Sequence, residues 1–297
     1  MRESGARITI HDVGNVGDSV RAVREHFDAL GAVEWDRLVQ SPGTRVALEL
    51  HRRFLARFIR PGWRVLEIGA GPGRFTIELA ALGATVVVSD ISPVQLDLNR
   101  GKVAAAGCEQ AVEDRRLLDI RDLSAFPQGA FDAVVAYGGP LSYTFEQAGI
   151  ALAECIRVTR PGGAVLASVM STIGSFRYYL PGVAEEIGAF GAETVGTVLR
   201  TGDLRLTQAG GHTCRMFRRR EIADLIAAQP CRLLAASASN VLSLGPPDAV
   251  ANLAADPVVW EQVLNWEEEL AQEPGMLDGG THILFAIERS PDGGTAT

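Results

Sequence analysis

The sequence predicts an α/β protein built around a mostly parallel β-sheet. Strand and helix patterns alternate from residue 63 onward, which is the order of elements that such a sheet requires. The first of these strands leads through a glycine-rich turn into a helix. Ligands of open α/β sheets bind at the carboxyl ends of the strands, so this turn marks the expected site.

Each element follows from a local signal. Residues 47, 50, 54 and 58 are apolar or small at helical spacing and predict an amphipathic helix before the first strand. An apolar strand is expected at 63–68, a helix at 75–82 and a β-branched strand at 84–89. Ser92 and Gln95 then have the form of a capping box, with Pro93 at the first helical position. That helix runs towards Gly107.

The regular pattern is interrupted once. Further strands are predicted at 116–118, 131–136, 164–170, 212–217, 231–237 and 282–288, and further helices at 146–159, 220–228 and 260–271. Between them, residues 171–211 are rich in glycine and threonine, and we interpret them as a lid inserted over the carboxyl edge of the sheet. We expect a cap segment at 1–44, the main domain at 45–290 and a disordered tail at 291–297.

Composition narrows the class of protein. The 297 residues carry a formal net charge of −8, and the one cluster of positive charge, residues 218–220, does not form the basic footprint of a duplex binder. Lys102 is the only lysine, so Schiff-base chemistry would depend on it. The four cysteines show no C-x-x-C pair, and no metal site is expected. Without a long apolar run or a secretory signal, we expect a cytoplasmic protein with no membrane partner.

The glycine turn at residues 65–73 has acidic neighbours that select the ligand. A dinucleotide fingerprint would place glycine where Arg74 stands. Glu67 precedes the turn inside the strand, where a carboxylate suits a cation and would repel a pyrophosphate. Asp90 ends the next strand about twenty residues later, where an acid can bind both hydroxyls of a ribose. A ligand with a ribose and a positive charge, but no phosphate, satisfies these three features.

These motifs resemble those of class I S-adenosylmethionine-dependent methyltransferases: E-x-G-x-G-x-G from Glu67, an acidic end to the second strand, and Leu118-Asp119-Ile120 after the third. The resemblance covers residues 45–170 well. It implies a Rossmann-like, seven-stranded, mostly parallel sheet whose last strand, at 282–288, is antiparallel. It also implies S-adenosylmethionine as the cofactor. The cofactor-binding residues that we expect are Trp35, Glu67, Gly69, Ala70, Gly71, Gly73, Asp90, Ile91, Asp119, Ile120 and Tyr137.

The resemblance assigns these residues separate roles. The glycines would line the methionine part of the cofactor, with Glu67 supporting the turn and the amino group. Asp90 would bind the ribose and Ile91 would pack on the adenine, while Asp119 and Ile120 would recognise its amine and ring nitrogen. Tyr137 would border the methionine moiety, and Trp35 is a candidate for a cap over the cofactor, with packing at the protein's edge as the alternative.

The acceptor side of the site is less determined. Residues 137–143 follow the fourth strand and lack the (Asn/Asp)-Pro-Pro-aromatic run of many enzymes that methylate nucleic acid or protein. We therefore expect a small-molecule acceptor and no nucleic acid. Tyr143 would face this acceptor, with ordinary packing as the alternative. His212 is a candidate general base, with a hydrogen-bonded structural histidine as the alternative. For His51, which shares a helical face with Ala47, packing is favoured.

Two other functions remain open. A nicotinamide-dependent oxidoreductase is disfavoured because Arg74 breaks its fingerprint and no Tyr-x-x-x-Lys pair exists. A non-catalytic partner or sensor that binds the cofactor would keep the same motifs, so the sequence does not separate it from an enzyme. The atom that is methylated and the oligomeric state, including a homodimer, are also left open.

Overall fold

The computed structural model describes residues 16–207 and 213–291, with side chains from residue 20. The strands are β1 (Arg64–Ile68), β2 (Thr85–Asp90), β3 (Val112–Leu117), β4 (Phe131–Ala136), β5 (Thr159–Met170), β6 (Cys231–Ala238) and β7 (His282–Arg289). They form a seven-stranded sheet in the order β3-β2-β1-β4-β5-β7-β6. Strands β1 to β5 pair in parallel, and β7 is antiparallel to both β5 and β6. The predicted fold class is confirmed.

Helices cover both faces of the sheet. They are α1 (Val16–Leu30), α2 (Val33–Asp36), α3 (Pro42–Phe58), α4 (Arg74–Ala81), α5 (Pro93–Ala105), α6 (Ala148–Val158), α7 (Thr172–Tyr178), α8 (Val183–Phe190), α9 (Ala192–Thr201), α10 (Arg219–Ala227), α11 (Pro247–Ala254) and α12 (Pro257–Ala271). On one face α3, α4 and α5 bury Phe54, Leu79 and Leu96 in a cluster with the strands. On the other, α6 and α10 bury Leu152 and Ile222. These two apolar layers hold the sheet whose strand ends form the site.

The ends of the first helices agree with the sequence signals. Ser92 caps α5 by accepting a hydrogen bond from the Gln95 N–H, and Pro93 stands in the first turn. The return bond of a full capping box is not formed there, because the Ser92 N–H donates to the Asp90 carboxylate at 2.8 Å. The Gln95 side-chain N–H donates to the carbonyl of Phe27 at 2.9 Å. Since Phe27 lies on α1, this bond fastens the N-terminal helix to α5.

The strand predicted at 212–217 is wrong in the part that the structure describes, residues 213–217. Three backbone N–H groups there donate to three different segments: Arg215 to Ser142, Met216 to Gly202 and Phe217 to Met170. A regular ladder needs successive bonds to one neighbouring strand, so the segment forms only isolated bridges.

Two segments contain more helix than the sequence patterns predicted. The segment interpreted as a lid contains α7, α8 and α9, and α9 buries Val195 and Val198. The N-terminal segment holds α1, whose Val23 is buried. Both helical segments lie over the carboxyl edge of the sheet and line the cavity described next. The first 15 residues and the predicted tail from 292 onward lie outside the described residues.

Candidate active site

A cavity of about 950 Å³ lies at the carboxyl edge of the sheet. Its floor is formed where strands end or begin: Ile68 ends β1, Asp90 ends β2, Tyr137 follows β4, Met170 ends β5 and His282 begins β7. Residues from α1, α3 and the segment 175–216 complete the walls. The cavity therefore lies where ligands of open α/β sheets bind.

The glycine turn forms one wall of this cavity. Gly69, Ala70, Gly71 and Pro72 line it, whereas Gly73 does not. Gly69 and Gly71 have φ of +65° and +52°, a left-handed conformation that glycine adopts without strain. A Cβ on Gly71 would meet no atom within 4 Å, so its backbone faces open space. A Cβ on Gly73 would lie 2.9 Å from the Asn99 side chain, so that glycine serves packing between α4 and α5.

Asp90 joins the turn to the second strand. Its carboxylate accepts hydrogen bonds of 2.8 Å from the N–H groups of Gly71 and Ser92. The residue is buried and lines the cavity. Burial raises the pKa of Asp90 to about 6, against the backbone bonds from Ser92 and Gly71, which lower it. The position agrees with the ribose-binding role that the resemblance implies.

Glu67 lies in the interior rather than on the cavity wall. It is 2% exposed and accepts a hydrogen bond of 2.6 Å from the Thr76 hydroxyl, which in turn accepts one from Asn99. Burial raises the pKa of Glu67 to about 8, although the Thr76 bond lowers it. Glu67 is not among the residues that line the cavity. Its contacts therefore support α4 and α5 behind the glycine turn.

A second acidic position lies after β3, where Asp119 and Ile120 both line the cavity. The Asp119 carboxylate accepts a hydrogen bond of 2.9 Å from Nε of Arg121, and the same guanidinium donates to the Gln147 side chain at 2.8 Å. Ile120 is 6% exposed and packs in the core. Ile91 lines the cavity between this position and Asp90.

Trp35 contacts the site through another residue. The Arg74 guanidinium stacks 4.1 Å from the Trp35 ring centroid and donates to the Trp35 carbonyl, while the Lys102 ammonium lies 4.7 Å from the same ring. Arg74 lines the cavity and Trp35 does not. The ring holds Arg74 against the wall, where a dinucleotide fingerprint would have placed a glycine.

Two residues, Tyr143 and His212, were expected to contact the acceptor, and the structure describes only the first. Tyr143 lines the cavity and packs edge-to-face on Phe27 of α1, with ring centroids 5.2 Å apart. Burial raises the pKa of Tyr143 well above its usual range, so its phenol stays protonated. His212 lies outside the described residues.

Two buried hydroxyls reach the cavity, one directly after β4 and one in the segment that follows β6. Tyr137 is 4% exposed, lines the cavity, and its hydroxyl has no hydrogen-bond partner among the described residues. The same holds for the hydroxyl of Ser243. Buried hydroxyls normally have a partner, so both are available to polar atoms of a ligand. Together with the open space over Gly71 and the Asp90 carboxylate, they fit a ligand that carries a ribose and an amino-acid group.

His51 also lines the cavity, although the sequence favoured packing for it. Its Nδ1 lies 2.7 Å from the Ala47 carbonyl, and its ring packs edge-to-face on Tyr137 with centroids 5.0 Å apart. Burial lowers the pKa of His51 to about 4, and the Ala47 bond opposes this. The imidazole is therefore neutral near pH 7, with Nδ1–H donating to Ala47 and Nε2 left as an acceptor.

The sequence patterns missed the wall residues on α1 and on the segment that follows it. Val20, Val23, Phe27 and Leu30 line the cavity and recur at helical spacing, a signal that was present in the sequence. Arg37 lines it as well, and donates to Glu34 at 2.7 Å. Burial lowers the pKa of Arg37, but the Glu34 bond and charge outweigh it, so the pKa is raised overall.

Among the described residues, no helix is both long and apolar enough to cross a bilayer. Within the same residues, no three histidine, cysteine, aspartate or glutamate side chains are grouped so that they could hold a metal ion.

Comparisons with known proteins agree with this geometry. Residues 65–163 match the family model described as a methyltransferase domain. A ubiquinone biosynthesis O-methyltransferase of Xanthomonas oryzae is 32% identical over 117 residues, which are 39% of this chain and 46% of that protein. An uncharacterized protein of Mycobacterium tuberculosis is 32% identical over 107 residues, 36% of this chain and 37% of its own. The chain thus spans less than half the length of these curated relatives.

Among solved structures, a methyltransferase of Burkholderia thailandensis extends the likeness to the whole chain. This 1,6-didemethyltoxoflavin-N1-methyltransferase, solved with 1,6-didemethyltoxoflavin and S-adenosylhomocysteine, has a TM-score of 0.56 and is 15% identical. The match covers 96% of this chain and 99% of that one. At this identity the likeness establishes the fold alone.

Proposed function

We propose that this chain is a class I S-adenosylmethionine-dependent methyltransferase that transfers the cofactor's methyl group to an N or O nucleophile of a small-molecule acceptor. The match of residues 65–163 to a methyltransferase domain supports this proposal. The match to a methyltransferase domain and the likeness in fold to a protein solved with S-adenosylhomocysteine both support the superfamily and the type of cofactor that the sequence predicted. The observation that carries the proposal is the bond between Asp90 and the Gly71 N–H, which places an acid for the ribose beside the glycine turn on one cavity wall.

The residues of the wall then have distinct tasks. Asp90 binds the ribose hydroxyls and holds the turn, and Ile91, Asp119 and Ile120 surround the adenine. Gly69, Ala70 and Gly71 let the backbone approach the amino-acid part closely. Glu67 acts from behind the turn through Thr76, and Trp35 acts through Arg74.

The bound cofactor supplies a methyl group on a sulfonium, which an in-line displacement transfers while the positive charge disappears. The protein must hold the nucleophile in line and exclude water, and orientation of this kind supplies about 7 to 11 kcal/mol in favourable systems. The helices α1 and α7 to α9 serve as the lid that excludes water, since residues of both segments line the cavity.

A general base is needed only when the nucleophile is protonated at the working pH. An amine that is neutral in the pocket needs orientation alone, whereas an alcohol needs a group that accepts its proton. Tyr143, with its protonated phenol, positions the acceptor in this proposal. His212 remains the proposed base for an alcohol.

Formation of S-adenosylhomocysteine tests this function. The full chain is incubated with S-adenosylmethionine and a panel of phenols and amines, and the product is quantified by mass spectrometry. We expect acceptor-dependent product in the wild type and none in Asp90→Ala at subsaturating cofactor. Cofactor binding without turnover on any acceptor would favour the alternative, a non-catalytic protein that senses the cofactor or serves as a partner subunit.

A further inference from the structure

The part of the cavity beneath the lid helices is apolar. Its side chains come from α1, β5, α7, α9 and the segment after residue 212, and we call this part the acceptor chamber. It is defined by Phe27, Met170, Phe176, Val198, Cys214 and Met216. Five of them pack in one cluster with Tyr143, and Phe27 joins through its ring contact with Tyr143. The chamber is therefore continuous, and separate in composition from the glycine-turn wall.

Apart from Glu186, the arginine, aspartate and glutamate side chains on the cavity wall already have partners in the protein. Arg37 is paired with Glu34 at 2.7 Å, and Arg121 with Asp119. Asp90 accepts from backbone N–H groups, and Arg74 stacks on Trp35.

The polar side chains on the lid side of the cavity are mostly uncharged hydroxyls, those of Ser175, Tyr178, Tyr179 and Thr207. Glu186, half-buried on α8, is the lid carboxylate that reaches the cavity in the described residues, and His26 reaches it from α1. An anionic acceptor in such surroundings would lose its hydration beside arginines that are already paired, and a cationic one would find only the half-buried Glu186 carboxylate among the described residues; both losses of hydration are unfavourable. Burial also keeps the Tyr143 phenol and the Cys214 thiol protonated, since it raises the pKa of Cys214 to about 12.

The size of the cavity leaves room for a second molecule. Its volume of about 950 Å³ is about three times the roughly 300 Å³ at which pockets for one small ligand begin. The glycine-turn wall and the chamber can therefore be filled together. Edge-to-face rings such as Phe27 and Tyr143 favour aromatic contacts in the chamber.

We propose that the acceptor chamber selects an uncharged, predominantly apolar acceptor of aromatic character, with the Tyr143 hydroxyl as its hydrogen-bond donor. This inference rests on the proposed function, because the bound molecule is an acceptor only if the chain transfers a methyl group. The binding preference itself follows from the chamber walls and can be measured without turnover.

Three probes of one shape and different charge test the preference. Calorimetric titrations use the full chain saturated with S-adenosylhomocysteine and, in turn, 2-naphthol, 2-naphthoate and 2-naphthylmethylamine. We expect uncharged 2-naphthol to bind at least about tenfold more tightly than either charged probe. We also expect S-adenosylhomocysteine not to displace it.

A matched pair of variants on α9 locates the binding. Val198 is 2% exposed in the chamber, and its neighbour Leu199 is 38% exposed on the outer side. Val198→Asp should lower the affinity for 2-naphthol at least about tenfold, while the affinity for S-adenosylhomocysteine stays within about twofold of wild type. Leu199→Asp should change neither affinity. If Val198→Asp loses S-adenosylhomocysteine binding through misfolding, the nearly isosteric Val198→Thr replaces it, with an expected loss of about threefold.

Several results would overturn the inference. One is tighter binding of the cationic probe that Glu186→Gln abolishes, since the chamber would then select a cation. Others are equal affinity for all three probes, displacement of 2-naphthol by S-adenosylhomocysteine, or no binding of any probe by protein that binds S-adenosylhomocysteine. Failure of S-adenosylhomocysteine to bind would instead count against the proposed function, and the probe series on the cofactor-free chain would still test the chamber.

Discussion

The carboxylate of Asp90 accepts a 2.8 Å hydrogen bond from the backbone N–H of Gly71, so the acid that ends β2 fixes the turn that follows β1. Asp90 thus has two tasks, because the same side chain is the candidate ligand of the ribose. A substitution there changes the cofactor contact and the shape of the turn together. Variants of other residues are needed to separate the two effects.

Gly71→Ala should lower the affinity for the cofactor without unfolding the protein. The new methyl group meets no protein atom within 4 Å, but it enters the cavity, and a left-handed alanine costs about 1 kcal/mol. Gly62 is the matched control, since it has φ of +79°, equal space and no place on the cavity wall. Both variants should lose similar stability in denaturant titrations, and only Gly71→Ala should lose affinity for S-adenosylhomocysteine. Equal affinities of the Gly71→Ala and Gly62→Ala variants would show that Gly71 does not contact the cofactor.

Cofactor affinity should fall as the pH drops below about 6. The pKa of Asp90 is raised to about 6 by burial, and the protonated acid accepts hydrogen bonds from a ribose less well than the carboxylate does. Titrations with S-adenosylhomocysteine between pH 7.5 and 5 should show up to about a tenfold loss per unit below that pKa. Asp119→Asn should keep the same slope. A flat profile in the wild type would contradict the role of Asp90.

Glu67→Gln should leave cofactor affinity within about threefold of wild type, because Glu67 contacts Thr76 and not the cavity. The pKa of Glu67 is raised from 4.5 to about 8, so the folded state holds a proton that the unfolded state releases. Stability from this group is therefore full below pH 4.5 and is lost as the pH rises through 8. Urea titrations at pH 6 and 9 should show a smaller loss for Glu67→Gln than for wild type. A large loss of affinity would instead place Glu67 in contact with the cofactor.

His51 should destabilise the protein in mild acid. Its pKa is lowered from 6.5 to about 4, so between these values the unfolded state binds more protons and stability falls as the pH falls. The loss reaches about 3 kcal/mol at pH 4. His51→Phe keeps a ring against Tyr137 and removes the titration, so its stability should fall less from pH 7 to 4.5 in urea titrations. Parallel stability curves for the two proteins would rule out this effect.

The strand ends and the glycine turn could be predicted because their signals are local. Gly69, Gly71 and Asp90 stand at fixed offsets from apolar strands, and the structure brings them to one wall as the pattern implies. The antiparallel edge at β7 was predicted from the resemblance, since pairing of β7 with β5 joins residues more than 100 positions apart. Long-range pairing of this kind leaves no local pattern.

The predictions that failed or fell short depend on distant contacts. Residues 213–217 read as a strand, but their N–H groups reach three different segments. Glu67 was expected to support the turn and the cofactor's amino group, and its partner in the structure is Thr76 on the helix behind. The lid looked irregular from its glycines, and packing of Val198 against Cys214 and Met216 favours helix there. The sequence does not specify these contacts by spacing alone.

The most direct test of the central claim is calorimetric titration of the full chain with S-adenosylmethionine and S-adenosylhomocysteine, with NADH as the control ligand. We expect both sulfur compounds to bind with dissociation constants on the order of micromolar, NADH not to bind, and Asp90→Ala to lose the binding while Gly62→Ala retains it. Tight NADH binding, or no binding of either sulfur compound by folded protein, would contradict the cofactor site and the methyl transfer proposed from it.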